Sequence, residues 1–160
     1  MEVYDIAKEF VMLATEENIS VSTCESMTGG LIAGTITSIP GASNIYYGGF
    51  VTYTVESKCQ FLNLDINFFD TTSVVSEKTA FIMAQRICEI TGSDLGISVT
   101  GFAGPDDGPE NGHVCVGLCW RKNTTTFTKQ FYGTRDEVRE KTVQFSLLQG
   151  IEILRRNRNE

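Results

Sequence analysis

The run LGISVT at residues 95–100 is nearly continuously apolar, the pattern of a strand covered on both faces. Such a strand needs a packed layer on each side, and the rest of the chain supplies candidates. Val3, Ile6, Ala7, Phe10, Val11 and Ala14 recur at helical spacing and predict a helix over 3–17. NISVSTCE reads as a strand that ends at SMTGG, where TGGLIAGTITSI starts a helix that Pro40 stops. Aromatic and β-branched residues predict a strand over 45–53, with Gly48-Gly49 marking a bulge or a close backbone approach. Ser76 is a candidate N-cap for a helix that Gly92 ends, with Ala80, Met83, Ala84, Ile87 and Ile90 facing inward. VCVGLCW and TTFTKQFY pair as a hairpin around RKNT, and a last helix begins near Arg135 with Val138, Phe145, Leu148 and Ile151 inward. Alternating strands and helices followed by an antiparallel pair predict an α/β fold, a mixed sheet with helices on both faces.

At 160 residues the chain fits one domain, 1–160, able to bury a core without disulfides or metals. The net charge of −7 argues against a nucleic-acid partner, which wants a basic surface. No segment is long and apolar enough to span a membrane, and the acidic N-terminus lacks the basic region of a signal peptide. The expectation is therefore cytoplasmic. Cys24, Cys59, Cys88, Cys115 and Cys119 read as reduced, buried small hydrophobes. Cys115 and Cys119 are close, but no second pair completes a zinc site, so no metal is expected.

Ligands in such sheets bind beyond the carboxyl ends of the strands. The turn Ser26-Met27-Thr28-Gly29-Gly30 enters a helix whose free N–H groups suit an anion, or else simply caps that helix. Thr100, Gly101 and Gly104 open a long polar loop whose glycines allow close approach to a ligand. In GASNIYYGGFVTYTVESK, residues 41–58, Ser43 is a candidate nucleophile that needs a base. A triad through His113, the one histidine, has no supporting local motif. Lys58 is the alternative if burial or a nearby cation leaves it partly neutral, with Tyr53 relaying the proton or orienting the serine. Spacing alone also allows the plain reading of a loop cap, a strand aromatic and a solvated lysine. The Tyr-x-x-x-Lys pattern of short-chain dehydrogenases fails, since four residues separate Tyr53 from Lys58 and no glycine fingerprint precedes them.

Taken in order, ESMTGG, IPGAS, GFVTYTVESK, VSEKTA, VTGFAGPDDG and VGLCW resemble the C-terminal domain of competence-damage-inducible protein A, the nicotinamide-nucleotide amidase family. The resemblance covers about residues 3–154. It implies a three-layer α/β/α sandwich with a mixed sheet, CinA C-terminal-like, that self-associates. It further implies hydrolysis of nicotinamide mononucleotide to nicotinate mononucleotide and ammonia, without metal or cofactor. The family's serine, tyrosine and lysine match Ser43, Tyr53 and Lys58, and its substrate threonine matches Thr100. Its arginine matches Arg139, with Arg135 close by, and the phosphate falls to Arg139 or to Thr28-Gly29-Gly30. Departures from the family pattern are Met27 for Cys, Val55 for Asn, Val114-Cys115 for Lys-Pro, and Gly48 where Arg is common. The lost lysine leaves two alternatives open, a nucleotide-binding or regulatory domain without turnover, and an amidase for a related nucleotide.

Overall fold

The computed structural model describes residues 1–160. Its sheet has five strands in the order β2-β1-β3-β4-β5. These are β1 (Val21–Glu25), β2 (Tyr46–Val51), β3 (Leu95–Gly101), β4 (His113–Trp120) and β5 (Asn123–Gln130). β1 pairs in parallel with both β2 and β3, while β3–β4 and β4–β5 are antiparallel. Helices α1 (Val3–Glu16), α2 (Leu31–Thr37) and α5 (Arg135–Arg158) pack together over one face. Helices α3 (Val55–Leu62) and α4 (Glu77–Thr91) cover the other. The mixed α/β/α sandwich expected from the sequence is the fold observed.

The two faces of β3 explain how the layers are held. Leu95, Ile97 and Val99 enter the main core with Phe10 of α1, Ile32 of α2, Leu147 of α5, and Val114, Val116 and Leu118 of β4. On the opposite face stand Gly96, Ser98 and Thr100, small or hydroxylated, which let α4 lie close against the sheet. The Ser98 hydroxyl donates to the Ala80 carbonyl of α4 at 2.6 Å, and a Cβ on the neighbouring Gly117 would meet that same carbonyl oxygen at 2.4 Å. The strand is buried on both sides because one side packs bulk and the other packs backbone.

Local signals set the ends of the elements. Ser76 caps α4 by accepting from Thr79 N–H, and Gly92 closes it with φ 72°. Thr134 and Glu137 cap the start of α5 reciprocally, as Thr54 and Ser57 do for α3. The hairpin between β4 and β5 turns on Arg121 and Lys122, both at positive φ. Both expectations for Gly48-Gly49 are met. The β1–β2 register slips past Tyr47, and a Cβ on Gly49 would lie 2.1 Å from the Thr23 carbonyl oxygen.

Three expectations change. Ile90 and Leu148 are exposed: the inward face of α5 runs through Leu147 and Ile151 and leaves Leu148 outside it, and Ile90 sits in the last turn of α4. Phe145 is half-buried, stacked edge-on against Phe127 of β5. The short helix α3 interrupts what the spacing left as flanking residues of a strand.

Gly117→Ala should destabilise the protein by about 1–3 kcal/mol, since α4 backbone has to move to admit the methyl group. A lowered urea midpoint with unchanged m-value is the expected reading.

Candidate active site

The carboxyl ends of parallel strands β1, β2 and β3 deliver their loops to one end of the sheet. A cleft of about 540 Å³ opens there. Its walls come from Ser26 after β1, Tyr53 after β2, Ser73–Val75 before α4, Thr100–Ala103 after β3, Asp107, and Arg135 at the start of α5.

Behind Ser26 lies Lys58, with no exposed surface. The α3 capping box fixes the first turn of the helix, and Lys58 follows directly on Ser57. Its side chain runs inward, and Nζ lies 2.9 Å from Ser26 Oγ and 2.5 Å from the Thr52 carbonyl oxygen. Burial pulls the Lys58 pKa down from its ordinary value to about 8. The neighbouring titratable groups, the thiols of Cys24 and Cys59, act in the opposite direction by less. Burial also pushes Cys24 up to about 11, which keeps that thiol neutral beside the amine. A lysine whose pKa is lowered to about 8 is neutral in a minority of molecules at pH 7, and in contact with a serine hydroxyl that neutral form can act as a base.

Ser26 is held from several sides. Its N–H donates to the Val99 carbonyl, tying it to the end of β3. The following turn is fixed by Glu25, whose buried carboxylate accepts from the Thr28 hydroxyl and from Ile32 and Ala33 N–H. Gly29 and Gly30 take the left-handed conformations the turn requires, φ 60° and 96°. Arg139 reaches over from α5 and donates to the Met27 and Thr28 carbonyls. The Met27 and Thr28 N–H groups are left without a hydrogen-bond partner in the protein, directly after the serine.

Several sequence expectations are corrected by this geometry. Ser43 is exposed in a 3₁₀ turn before β2, beside Pro40 and Tyr46. Lys58 follows the other end of that strand. The six residues of β2 at about 3.3 Å each place the two roughly 20 Å apart. The serine within reach of Lys58 is Ser26, which the sequence reading had assigned only to substrate binding or capping. Tyr53 lines the cleft, but its hydroxyl is bound by Arg135 at 3.2 Å, and no hydrogen bond joins it to Ser26 or Lys58.

Thr28, Gly29 and Gly30 do not offer an anion site, because the Glu25 carboxylate already occupies the α2 N-terminus. Arg139 is committed to the carbonyls of the Ser26 turn, so the guanidinium in the cleft is that of Arg135. Thr100 and Gly101 line the cleft as expected, with the Thr100 hydroxyl donating to the Val74 carbonyl. Gly104 seats the loop: its carbonyl accepts from Arg135, and its N–H donates to the Asp107 carboxylate at 3.1 Å. His113 opens β4 and does not line the cleft. The residues the sequence reading missed are Asp107 and the capping role of Glu25. For the latter the signal was a carboxylate at the end of a strand, just before a glycine turn.

The fold and site define an α/β/α domain carrying a serine backed by a buried lysine. The chain belongs to the CinA C-terminal domain family, whose model matches residues 3–154. It is 38% identical over 144 residues to a protein of Clostridium novyi (strain NT) named "Putative competence-damage inducible protein", covering 88% of this chain and 34% of that one. A protein of the same name from Lactiplantibacillus plantarum is 40% identical over 146 residues, covering 89% of this chain and 34% of the relative. The chain thus spans about a third of the length of these curated relatives. Among solved structures, the competence or damage-inducible protein from Enterobacter asburiae superposes with a TM-score of 0.91 at 31% identity, covering 96% of this chain and 99% of that one. The competence/damage inducible protein CihA from Agrobacterium tumefaciens gives 0.89 at 33%, covering 96% and 95%.

Lys58 also predicts a pH dependence of stability. The folded pKa lies near 8 and the ordinary one at 10.5, so between these values the unfolded chain holds a proton that the folded protein lacks. Stability from this group rises with pH across that window, and below it the cost of burying the charge is borne in full. Lys58→Met, similar in length and uncharged, should be more stable than wild type at pH 7. That advantage should shrink by pH 9.5 when urea midpoints are compared.

Proposed function

We propose that the protein is a serine amidase that hydrolyses the carboxamide of nicotinamide mononucleotide, giving nicotinate mononucleotide and ammonia. The observation that carries this reading is the 2.9 Å contact between Ser26 Oγ and the fully buried Lys58 amine at the wall of the cleft. The substrate follows from the family resemblance and suits the cleft, which presents one carboxylate, Asp107, and one guanidinium, Arg135, among its lining side chains.

In this mechanism neutral Lys58 takes the proton of Ser26 as Oγ attacks the carboxamide carbon. The Met27 and Thr28 N–H groups receive the developing oxyanion, since neither has an internal partner to give up. Lys58 then passes its proton to the amide nitrogen, the C–N bond breaks, and ammonia leaves an acyl-Ser26. Water, deprotonated by the same amine, attacks the acyl carbon. The acid departs as Oγ regains a proton. The Thr52 carbonyl holds Nζ in place throughout. Arg135, anchored by the Gly104 carbonyl and Tyr53, supplies the cation for the phosphate.

Ammonia release from nicotinamide mononucleotide tests the reading. Ser26→Ala and Lys58→Met should each lose turnover by at least about 10³-fold, whereas Ser43→Ala should stay close to wild type. A folded wild type without turnover would overturn the activity and leave a nucleotide-binding domain. Turnover that survives Ser26→Ala would overturn the nucleophile.

The wild-type kcat/KM should rise with pH along a limb centred near pH 8 as Lys58 loses its proton. Arg135→Ala should lower kcat/KM on the order of tenfold to a hundredfold. It should have little effect on the corresponding nucleoside, which lacks the phosphate.

A further inference from the structure

At the opposite end of the sheet, where β3 begins and the β4–β5 hairpin turns, a second cleft of about 470 Å³ is lined by Cys88 of α4 and Cys119 of β4. We infer that Cys88 and Cys119 form a thiol pair that a hydroperoxide converts reversibly to a disulfide, with Cys119 as the attacking and Cys88 as the resolving sulfur.

The packing of Gly96 brings the Cys88 sulfur to the face that carries Cys119. Gly96 is paired directly with Cys119 across the antiparallel β3–β4 ladder, so their side-chain positions share one face. That face lies under α4, and a Cβ on Gly96 would stand 2.6 Å from Cys88 Sγ. The Cys88 sulfur therefore fills the space beside Cys119 that a larger residue at 96 would take. Cys88 Sγ also lies 3.6 Å from the Cys119 carbonyl oxygen.

The surroundings distinguish the two thiols. Thr124 is paired with Cys119 from β5, and its buried hydroxyl has no hydrogen-bond partner. The Cys88 thiol, the Thr124 hydroxyl and the Lys122 N–H all favour the Cys119 thiolate, while Cys88 keeps its proton. Arg121 and Lys122 add positive charge to the cleft wall, partly offset by Glu89 and Asp94. Cys119 is itself buried, so a peroxide reaches its sulfur through the cleft that both cysteines line. In Cys24, Cys59 and Cys115 burial outweighs the neighbours and raises the pKa of each, whereas at equally buried Cys119 the Cys88 thiol outweighs burial.

In the first step the Cys119 thiolate attacks one peroxide oxygen. The S–O bond forms, the O–O bond breaks, and the departing alkoxide or hydroxide takes up a proton. Cys88 then gives up its proton and attacks the Cys119 sulfur. The S–S bond forms, the S–O bond breaks, and the oxygen leaves as water. Two thiols and one hydroperoxide thus yield a disulfide, an alcohol or water, and a second water.

The test is oxidation of the folded protein with hydrogen peroxide, blocking of free thiols, and peptide mass analysis without reduction. Cys88, Cys115 and Cys119 fall between Arg86 and Arg121, on one tryptic peptide, and cleavage before Asp94 and Asp107 separates Cys88 from the other two. The expected product lacks two hydrogen masses, keeps the fragments joined between Cys88 and Cys119, and is restored by dithiothreitol. Cys88→Ser should instead accumulate a sulfenic acid on Cys119 that dimedone traps. The inference is overturned if Cys88 links to Cys115. It is equally overturned if both thiols stay reduced at peroxide concentrations that oxidise Cys24, Cys59 or Cys115, or if dimedone finds nothing on Cys119 in the serine variant.

Discussion

A lysine side chain with no exposed surface sets the terms for the end of the sheet that carries the cleft. Burying an ammonium in a protein interior is expensive, and the cost falls when the group gives up its proton. Lys58 therefore loses its proton more readily than an exposed lysine, its pKa lowered to about 8, and it has the Thr52 carbonyl and the Ser26 hydroxyl as hydrogen-bond partners. Three elements have to agree for this to happen. β2 must end at Val51, just before Thr52, the α3 cap must begin the helix at Val55, and β1 must deliver Ser26 to the same point. A serine and an amine brought together by separate elements are oriented more firmly than either could be on one flexible loop.

The Ser26 turn depends in the same way on charges that never meet a ligand. Glu25 is buried with its carboxylate satisfied by a hydroxyl and two backbone N–H groups, and it supplies the negative charge that the start of α2 favours. Arg139 takes two carbonyls on the other side of the turn. With those carbonyls drawn towards α5, the peptide planes after Ser26 are fixed and their N–H groups remain free for other use. Arg135, one helical turn earlier, lies in the cleft itself. Two arginines four residues apart thus do different work, one bracing backbone and one facing the open site.

Much of the fold was legible along the chain. The run through LGISVT demanded cover on both sides, the cap at Ser76 and the start near Arg135 mark where helices begin, and the irregularity beside Gly48-Gly49 falls where expected. These features depend on neighbours in sequence or on the periodicity of one element. Ile90 and Leu148 fit a helical spacing yet face solvent, because several faces of a helix satisfy the same spacing and packing chose the one through Leu147 and Ile151 in α5.

Residue types and order determined the α/β/α class, the end of the sheet where loops gather, and Lys58 and Thr100 as candidates, and the family resemblance added an α5 arginine. The tertiary structure decided which serine meets the lysine. Ser43 is nearer to Lys58 in sequence, but a strand of extended chain holds the two at opposite ends of the sheet. Ser26 is 32 positions away, yet parallel pairing of β1 with β2 places it at the same end as Thr52 and the helix that carries Lys58. Strand direction converts short sequence separation into distance and long separation into contact, and pairing between strands is a property of the folded sheet.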